Sequence, residues 1–172
     1  MKSTKEIAII GMYTALLIGA QLVLFAVSGL EVVTILFCCF CYRFGVKRGV
    51  VLGIAFSLLR CIVFGFIINV VILYLIYYPL LAVVFGIVGK KLTKEITIKK
   101  VIIVSVIAFI VTILFTLIDD ILTPLIYLYN IKMFKAYFVA SLLTLIPHAI
   151  TTLIIFLLLF YPIIKLLYKI KI

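Results

Sequence analysis

The chain has 172 residues, of which 69% are hydrophobic and 12% are charged, and its mean hydropathy is +1.54. A soluble domain is about half apolar and about a quarter charged, so a soluble fold of this length could not cover so much apolar surface. The net charge is +11. Nucleic-acid binding would require a basic face exposed to solvent, and the chain has no predicted soluble domain to provide one, so the charge does not indicate nucleic-acid binding. We therefore predict an all-α membrane protein with one integral membrane domain, residues 1–172.

Polar breaks divide the chain into six apolar segments, each a candidate helical span of roughly 20 residues. In chain order they cover about residues 7–27, 32–42, 49–66, 70–88, 101–118 and 137–161. The apolar runs are continuous rather than alternating, which favours helices over the strands of a β-barrel. The second segment is short, and only the uncharged Asn69 separates the third from the fourth. The stretch from Asp119 to Lys135 is predicted to be a polar outer loop.

Basic residues set the predicted orientation of this six-helix bundle in the membrane. Thirteen of the 16 lie on the inner side if the N-terminus is inside: Lys2, Lys5, Arg43, Lys47, Arg48, Lys90, Lys91, Lys94, Lys99, Lys100, Lys165, Lys169 and Lys171. The outer side receives Lys132 and Lys135, together with three of the acids. The positive-inside rule then places both termini in the cytoplasm. The first apolar run is about 20 residues long, longer than a signal-peptide core, so we expect it to be a retained helix.

The sequence carries little that resembles catalytic chemistry. There is one histidine, and no HExxH, CxxC, GxSxG or P-loop pattern occurs, so we predict neither an enzyme nor ATP hydrolysis by this chain. Cys38, Cys39, Cys41 and Cys61 lie inside apolar runs. The first three point around a helix rather than to one centre, so we interpret the cysteines as small buried thiols and not as zinc ligands. No metal or cofactor is predicted.

Small residues recur at four-residue spacing on one face of the first predicted helix: Gly11, Ala15 and Gly19. Such a face allows another helix to approach closely in lipid. Two interpretations stay open, which are packing within this bundle and docking of a separate membrane subunit. The third predicted helix repeats the spacing with Gly49, Gly53 and Ser57, and there we predict internal packing because the next turn brings Arg60.

One arginine and one histidine lie within the predicted spans. Arg60 is about 17 Å from the inner end of its segment, a depth at which an arginine is costly unless it is paired or hydrated. It is expected either to pair with Glu31 or an aspartate, or to anchor a ligand. His148 follows Pro147 near the middle of the membrane, where it is either a structural histidine or part of a pocket lining.

Polar and aromatic residues converge on the outer half of the predicted bundle. The candidate substrate-binding residues are Glu31, Arg60, Asn69, Tyr74, Asp119, Asp120, Asn130 and His148. An apolar, aromatic pocket with a few polar groups is what a small organic ligand requires. Without a ligand, an interfacial belt would account for the tyrosines and a solvated helix end for the aspartates.

Several short patterns occur together along the chain. They are Gly11/Ala15/Gly19, the outer turn Gly29-Leu30-Glu31, the basic inner turn from Arg43 to Gly49, Pro79, and Gly86 through Lys91. With six helices and inside termini, they make the chain resemble, over nearly its whole length, the substrate-binding S components of energy-coupling factor (ECF) vitamin transporters. Glycines flank the single Ala15, which departs from the commonest first-helix pattern and leaves the docking register open.

The resemblance implies a subunit that binds a vitamin or vitamin precursor from outside the cell with high affinity. Its partners would be a transmembrane coupling subunit, docked on the small-residue face, and two cytoplasmic ATPases. The location would be a bacterial plasma membrane, and a loop from Ile121 to Phe134 would help to close the site.

The charges at the outer side indicate the charge of the expected ligand. Three outer acids against Arg60 favour a neutral or weakly cationic molecule, such as thiamine, its precursors or vitamin B6, over folate. Cobalamin, riboflavin and a queuosine precursor stay open. The competing hypotheses are a structural or assembly subunit without a ligand and a small membrane enzyme that acts on a lipid.

Overall fold

A computed structural model of the protein describes residues 4–24, 31–92 and 95–170. These residues form six helices: α1 (Thr4–Val23), α2 (Val32–Phe44), α3 (Val46–Phe64), α4 (Ile68–Lys91), α5 (Ile98–Ile126) and α6 (Ile131–Leu167). The prediction of an all-helical protein is confirmed. Gly29 and Leu30 of the predicted outer turn, and Lys2, Lys94 and Lys171 of the predicted inner side, lie outside the described residues.

Four of the helices, α1, α4, α5 and α6, are long and apolar enough to cross a membrane. They extend about 30 to 55 Å at 1.5 Å per residue, against a hydrocarbon layer of about 30 Å. Helix α2 has 13 residues and reaches only about 20 Å, while α3 carries Lys47, Arg48 and Arg60. The chain is thus a multi-pass membrane protein by the length and composition of its helices, and six separate spans stay a prediction.

Helix α2 lies at the centre of the bundle and packs against α1, α3, α4 and α6. The side chains from Phe37 to Cys41 are fully buried. A helix that is enclosed on all sides needs no polar face, which explains why this short segment is apolar around its whole circumference. The chain's cysteines are buried free thiols, as the sequence predicts.

Small residues on α3 allow α2 and α4 to come close. A Cβ at Gly49 would lie 2.7 Å from Sγ of Cys41, and a Cβ at Gly53 would lie 3.1 Å from the carbonyl carbon of Tyr78. The hydroxyl of the fully buried Ser57 lies 2.8 Å from the carbonyl oxygen of Gly53. The predicted internal packing of this face is therefore confirmed.

The predicted outer loop from Asp119 to Lys135 is wrong. Helix α5 continues to Ile126, and α6 already begins at Ile131. Only residues 127–130 connect the two helices, so the longer loop proposed to close the site, Ile121 to Phe134, is mostly helix. The physical reason is that the polar side chains of this stretch are satisfied within the helix pair, as described below.

The alternating helix directions bring most basic residues to one end of the bundle. Arg43 lies in the last turn of α2, Lys90 in the last turn of α4 and Lys165 in the last turn of α6, while Lys47 lies in the first turn of α3. We call this the basic end, and we call the opposite end, with Asp119 and Asp120, the acidic end. The separation of charge agrees with the positive-inside pattern. A cytoplasmic basic end stays a prediction.

Candidate functional site

A small cavity lies among α2, α4, α5 and α6, towards the acidic end. Its volume is about 50 Å³, and it is lined by Glu31, Thr34, Tyr74, Tyr77, Tyr78, Thr112, Phe115 and His148. We call it the tyrosine cavity. Three of the predicted substrate-binding residues, Glu31, Tyr74 and His148, meet here although they come from different parts of the sequence.

A contact between a carboxylate and an imidazole lies in the lining of the tyrosine cavity. The carboxylate of Glu31 contacts Nε2 of His148, across a separation of 117 residues in the chain. Glu31 immediately precedes α2 and His148 lies near the middle of α6, so the pair joins the start of the central helix to the longest helix. The side chains are 19% and 27% exposed, respectively, so the protein encloses the pair only in part.

The Glu31–His148 pair is expected to contribute a measurable coupling to stability. Glu31→Gln and His148→Asn should each lower the unfolding temperature, and the double variant should lose about 1 kcal/mol less than the sum, since a partly exposed pair contributes little more. A thermal double-mutant cycle in detergent measures this coupling. Asn130→Ala combined with Glu31→Gln is the control and should be additive. Additivity in the Glu31–His148 cycle would show that the contact has no energetic role.

Arg60 contacts aromatic rings rather than an acid. Its guanidinium carbon lies 4.4 Å from the centre of the Tyr74 ring and 5.4 Å from that of Phe64. All five acids of the chain lie in the described residues, and none pairs with Arg60, so the expected ion pair with Glu31 or an aspartate is wrong. The aromatic faces stabilise the cation without a second desolvated charge.

Several hydrogen-bonding atoms beside Tyr74 are unused. Nε and Nη1 of Arg60 and Oε1 of Gln21 are buried and have no hydrogen-bond partner within the described structure. Nε2 of Gln21 donates to the Tyr74 hydroxyl at 3.5 Å. A buried polar group left without a partner costs about 1 to 3 kcal/mol, so these atoms call for a polar ligand or water. Gln21 was not among the site residues predicted from the sequence. Its position as the only glutamine of the chain, inside an apolar helix, could have indicated it.

A second cluster of polar residues lies further along α5, and its side chains form hydrogen bonds with one another. The carboxylate of Asp119 accepts hydrogen bonds from the hydroxyls of Thr123, at 2.7 Å, and Tyr137, at 3.1 Å. The amide of Asn69 donates to Thr123 at 3.2 Å and accepts from Tyr127 at 3.2 Å. We call these five residues the aspartate network. It joins the start of α4 to α5 and α6.

Two further predicted site residues also have structural partners. Asp120 is 1% exposed and accepts a hydrogen bond from Ser141 of α6, so a solvated helix end does not describe it. Asn130 is exposed and caps α6, where its side chain accepts from the backbone N–H of Met133 at 2.9 Å. Neither lines the tyrosine cavity. Within residues 4–24, 31–92 and 95–170, no group of three or more His, Cys, Asp and Glu side chains is placed to hold a metal ion.

The small-residue face of α1 is open. Gly11 and Ala15 are exposed and Gly19 is half-exposed, and a Cβ at either glycine would meet no described atom within 4 Å. Helix α1 packs on α2 and α3 through other positions, such as Tyr13 and Leu17. Packing within the described part of the bundle therefore does not account for the four-residue spacing.

No family model, curated protein or solved structure matches the chain. The resemblance to S components thus rests on the residues quoted for it. The tyrosine cavity and the open face of α1 are the structural features from which a function can be inferred.

Proposed function

We propose that the chain is the substrate-binding subunit of an ECF-type importer, which captures a vitamin or vitamin precursor at the acidic end of the bundle. The observation that carries this proposal is the tyrosine cavity together with the unused hydrogen-bonding atoms of Arg60 and Gln21 beside Tyr74. A buried aromatic site with a few unsatisfied polar groups is the pattern of a small-molecule site. A purely structural subunit gives no reason for buried atoms that lack a partner in the described part of the chain.

The class of ligand is indicated by the tyrosine walls and by Arg60 and Gln21, which contact Tyr74 without lining the cavity. Tyr74 and Tyr78 have ring centres 5.2 Å apart, and Tyr77 and Tyr78 are 5.4 Å apart, so a planar ring finds aromatic partners here. The free N–H groups of Arg60 require an acceptor, and Oε1 of Gln21 requires a donor. A neutral heteroaromatic ring with a hydroxyl group meets all three needs, as in the pyridine of vitamin B6 or the pyrimidine precursor of thiamine.

The tyrosine cavity is smaller than a vitamin-sized ligand requires. A volume of about 50 Å³ holds a few water molecules, whereas pockets for drug-sized ligands measure about 300 to 1,000 Å³. Ligand binding must therefore widen the site. The Glu31–His148 contact joins α2 to α6 across the cavity, so we infer that it separates when the ligand enters.

Transport requires partners, because the chain has no P-loop with which to hydrolyse ATP. We propose that a transmembrane coupling subunit docks on Gly11, Ala15 and Gly19 and that two cytoplasmic ATPases supply the energy. The open, small-residue surface of α1 supports this arrangement, since a helix of the partner could approach its backbone closely.

The test is direct binding. The purified protein should release a small molecule that mass spectrometry identifies as a vitamin or precursor, and that compound should bind in calorimetry. Arg60→Ala should weaken its affinity roughly tenfold to a hundredfold, because a hydrogen bond from a charged donor contributes about 1.5 to 3 kcal/mol. Lys132→Ala removes an exposed cation in the first turn of α6, and it should bind as the wild type does. A protein that carries no small molecule and binds no vitamin would favour the structural-subunit hypothesis.

A further inference from the structure

A larger cavity lies at the basic end, where the start of α1 meets the α2–α3 turn and the end of α4. Its volume is about 620 Å³, and its walls include Arg43, Lys47, Arg48 and Lys90, with Glu6 as the one acid. We propose that this basic cavity binds the headgroup phosphate of an anionic phospholipid. The inference stands independently of vitamin binding at the opposite end.

The charges of the cavity are not balanced. Arg48 is paired with Glu6. Within the described residues, no ion pair involves Arg43, Lys47 or Lys90, and the other four Asp and Glu side chains do not line the cavity. Three cations are therefore left facing one space at the end of membrane-spanning helices. Basic pockets between such helices attract anionic lipid headgroups.

Unused donors lie in the same wall. Tyr42 also lines the cavity, its side chain is only 4% exposed, and its hydroxyl has no hydrogen-bond partner in the described structure. Nε of Arg43 is likewise buried without a described partner. Helix α3 starts at Val46, and no side chain caps its first N–H groups. A helix N-terminus beside arginine and lysine is a favourable place for a phosphate.

The cavity is built on a closely packed turn. A Cβ at Gly86 would lie 2.6 Å from the backbone nitrogen of Val46, and one at Gly89 would lie 2.1 Å from the carbonyl oxygen of Tyr42. The backbone of α4 therefore contacts the α2–α3 turn directly. Packing of this kind fixes the donors before a ligand arrives, which lowers the entropy lost on binding.

An adjacent apolar groove favours a lipid over a soluble phosphate. The groove has a volume of about 510 Å³ and is lined almost entirely by apolar side chains of α1 and the end of α6, among them Ile9 and Ile170. It is linked to the basic cavity in two ways. Ile9 lies one turn from Glu6 on α1, and the guanidinium of Arg43 donates to the carbonyl oxygen of Ile170 at 3.5 Å. An acyl chain in the groove would bring its phosphate to Arg43.

Native mass spectrometry of the detergent-purified full chain, titrated with phosphatidylglycerol or phosphatidylcholine, tests the proposal. Phosphatidylglycerol should bind in preference to phosphatidylcholine. The double variant Lys47→Ala/Lys90→Ala should weaken phosphatidylglycerol binding by roughly tenfold to thirtyfold. Both lysines are exposed, so the double variant is expected to fold as the wild type does. The matched control, Lys132→Ala/Lys135→Ala, removes two exposed lysines near the acidic end and should bind the lipid as the wild type does.

Three results would overturn the proposal. The first is equal binding of the two lipids by the wild type, and the second is an equal loss of phosphatidylglycerol binding in the control variant. The third comes from inorganic phosphate added before the titration. If phosphate alone displaces phosphatidylglycerol, the cavity takes a free anion and not a lipid. Retention of the lipid in the presence of phosphate supports the proposal.

Discussion

Replacement of Gly89 by alanine is expected to destabilise the folded protein by about 3 kcal/mol, the upper part of the range for overpacked sites. The added Cβ would lie 2.1 Å from the carbonyl oxygen and 2.7 Å from the carbonyl carbon of Tyr42. Both are backbone atoms of the central helix, so no side-chain rotation relieves the contact. Helix α4 must move away from α2, and the move also disturbs the basic cavity.

The buried cysteines supply the measurement. A maleimide dye that fluoresces on reaction with thiols should label Cys38, Cys39, Cys41 and Cys61 only as the bundle opens, because all four are buried. The apparent unfolding temperature of Gly89→Ala should fall by about 6 to 12 °C for a chain of this size.

The control for Gly89 is Gly11→Ala on the same chain. An alanine at this exposed helical position meets no described atom within 4 Å and should leave stability unchanged or raise it by up to about 1 kcal/mol. Wild-type behaviour of Gly89→Ala would contradict the close approach of α4 to the α2–α3 turn. A large loss in Gly11→Ala would contradict the open face of α1.

Local patterns predicted the fold well. Continuous apolar runs predicted the helices, because a backbone in lipid must satisfy its own hydrogen bonds and a helix does so within one segment. The spacing of Gly49, Gly53 and Ser57 gave a packing face, and the burial of the cysteines followed from their apolar surroundings. Each of these inferences depends only on residues a few positions apart.

The stretch after Ile118 was misjudged because hydropathy treats a polar side chain as exposed. Asp119 and Asp120 interrupt an apolar run, which resembles the end of a span. In the structure their oxygens accept from Tyr137 and Ser141, which lie on the facing helix. A polar residue that joins two helices and one that marks a loop look alike until the partner helix is known.

The candidate site is formed by contacts between residues that lie far apart in the sequence, so local patterns did not predict these contacts. Arg60 was expected to pair with Glu31 or an aspartate, or to anchor a ligand, whereas the structure pairs Glu31 with His148 and places Arg60 over Tyr74. Candidate residues were identified from the cost of polar groups in lipid. Their partners were set by the order and rotation of the helices, which no local sequence pattern determines.

Two faces with the same four-residue spacing have opposite surroundings. On α3, Gly53 touches the backbone of α4, and a larger side chain has no room. On α1, Gly11 and Gly19 touch nothing described. Spacing alone indicates that a helix approaches, and the structure shows whether the approaching helix belongs to this chain. On α1, a helix that approached this face would come from outside the described bundle.

Under the proposed importer function, enlargement of the α1 face is expected to abolish uptake while ligand binding is retained. The triple variant Gly11→Leu/Ala15→Leu/Gly19→Leu should lower vitamin uptake in cells at least tenfold, because a bulky side chain at each turn holds the partner helix away from the α1 backbone. Calorimetry on the purified variant should give the wild-type affinity. Co-purification with the coupling subunit should be lost.

Two exposed apolar positions on other helices provide the matched control. Ile110→Phe on α5 and Leu158→Phe on α6 add volume where side chains are 50% and 68% exposed, and they should leave uptake, association and ligand binding unchanged. A triple variant that unfolds or loses the vitamin would show that the face of α1 serves the bundle itself. A triple variant that transports normally would place the docking surface elsewhere, since three leucines on one face of α1 are incompatible with a helix packed closely against it.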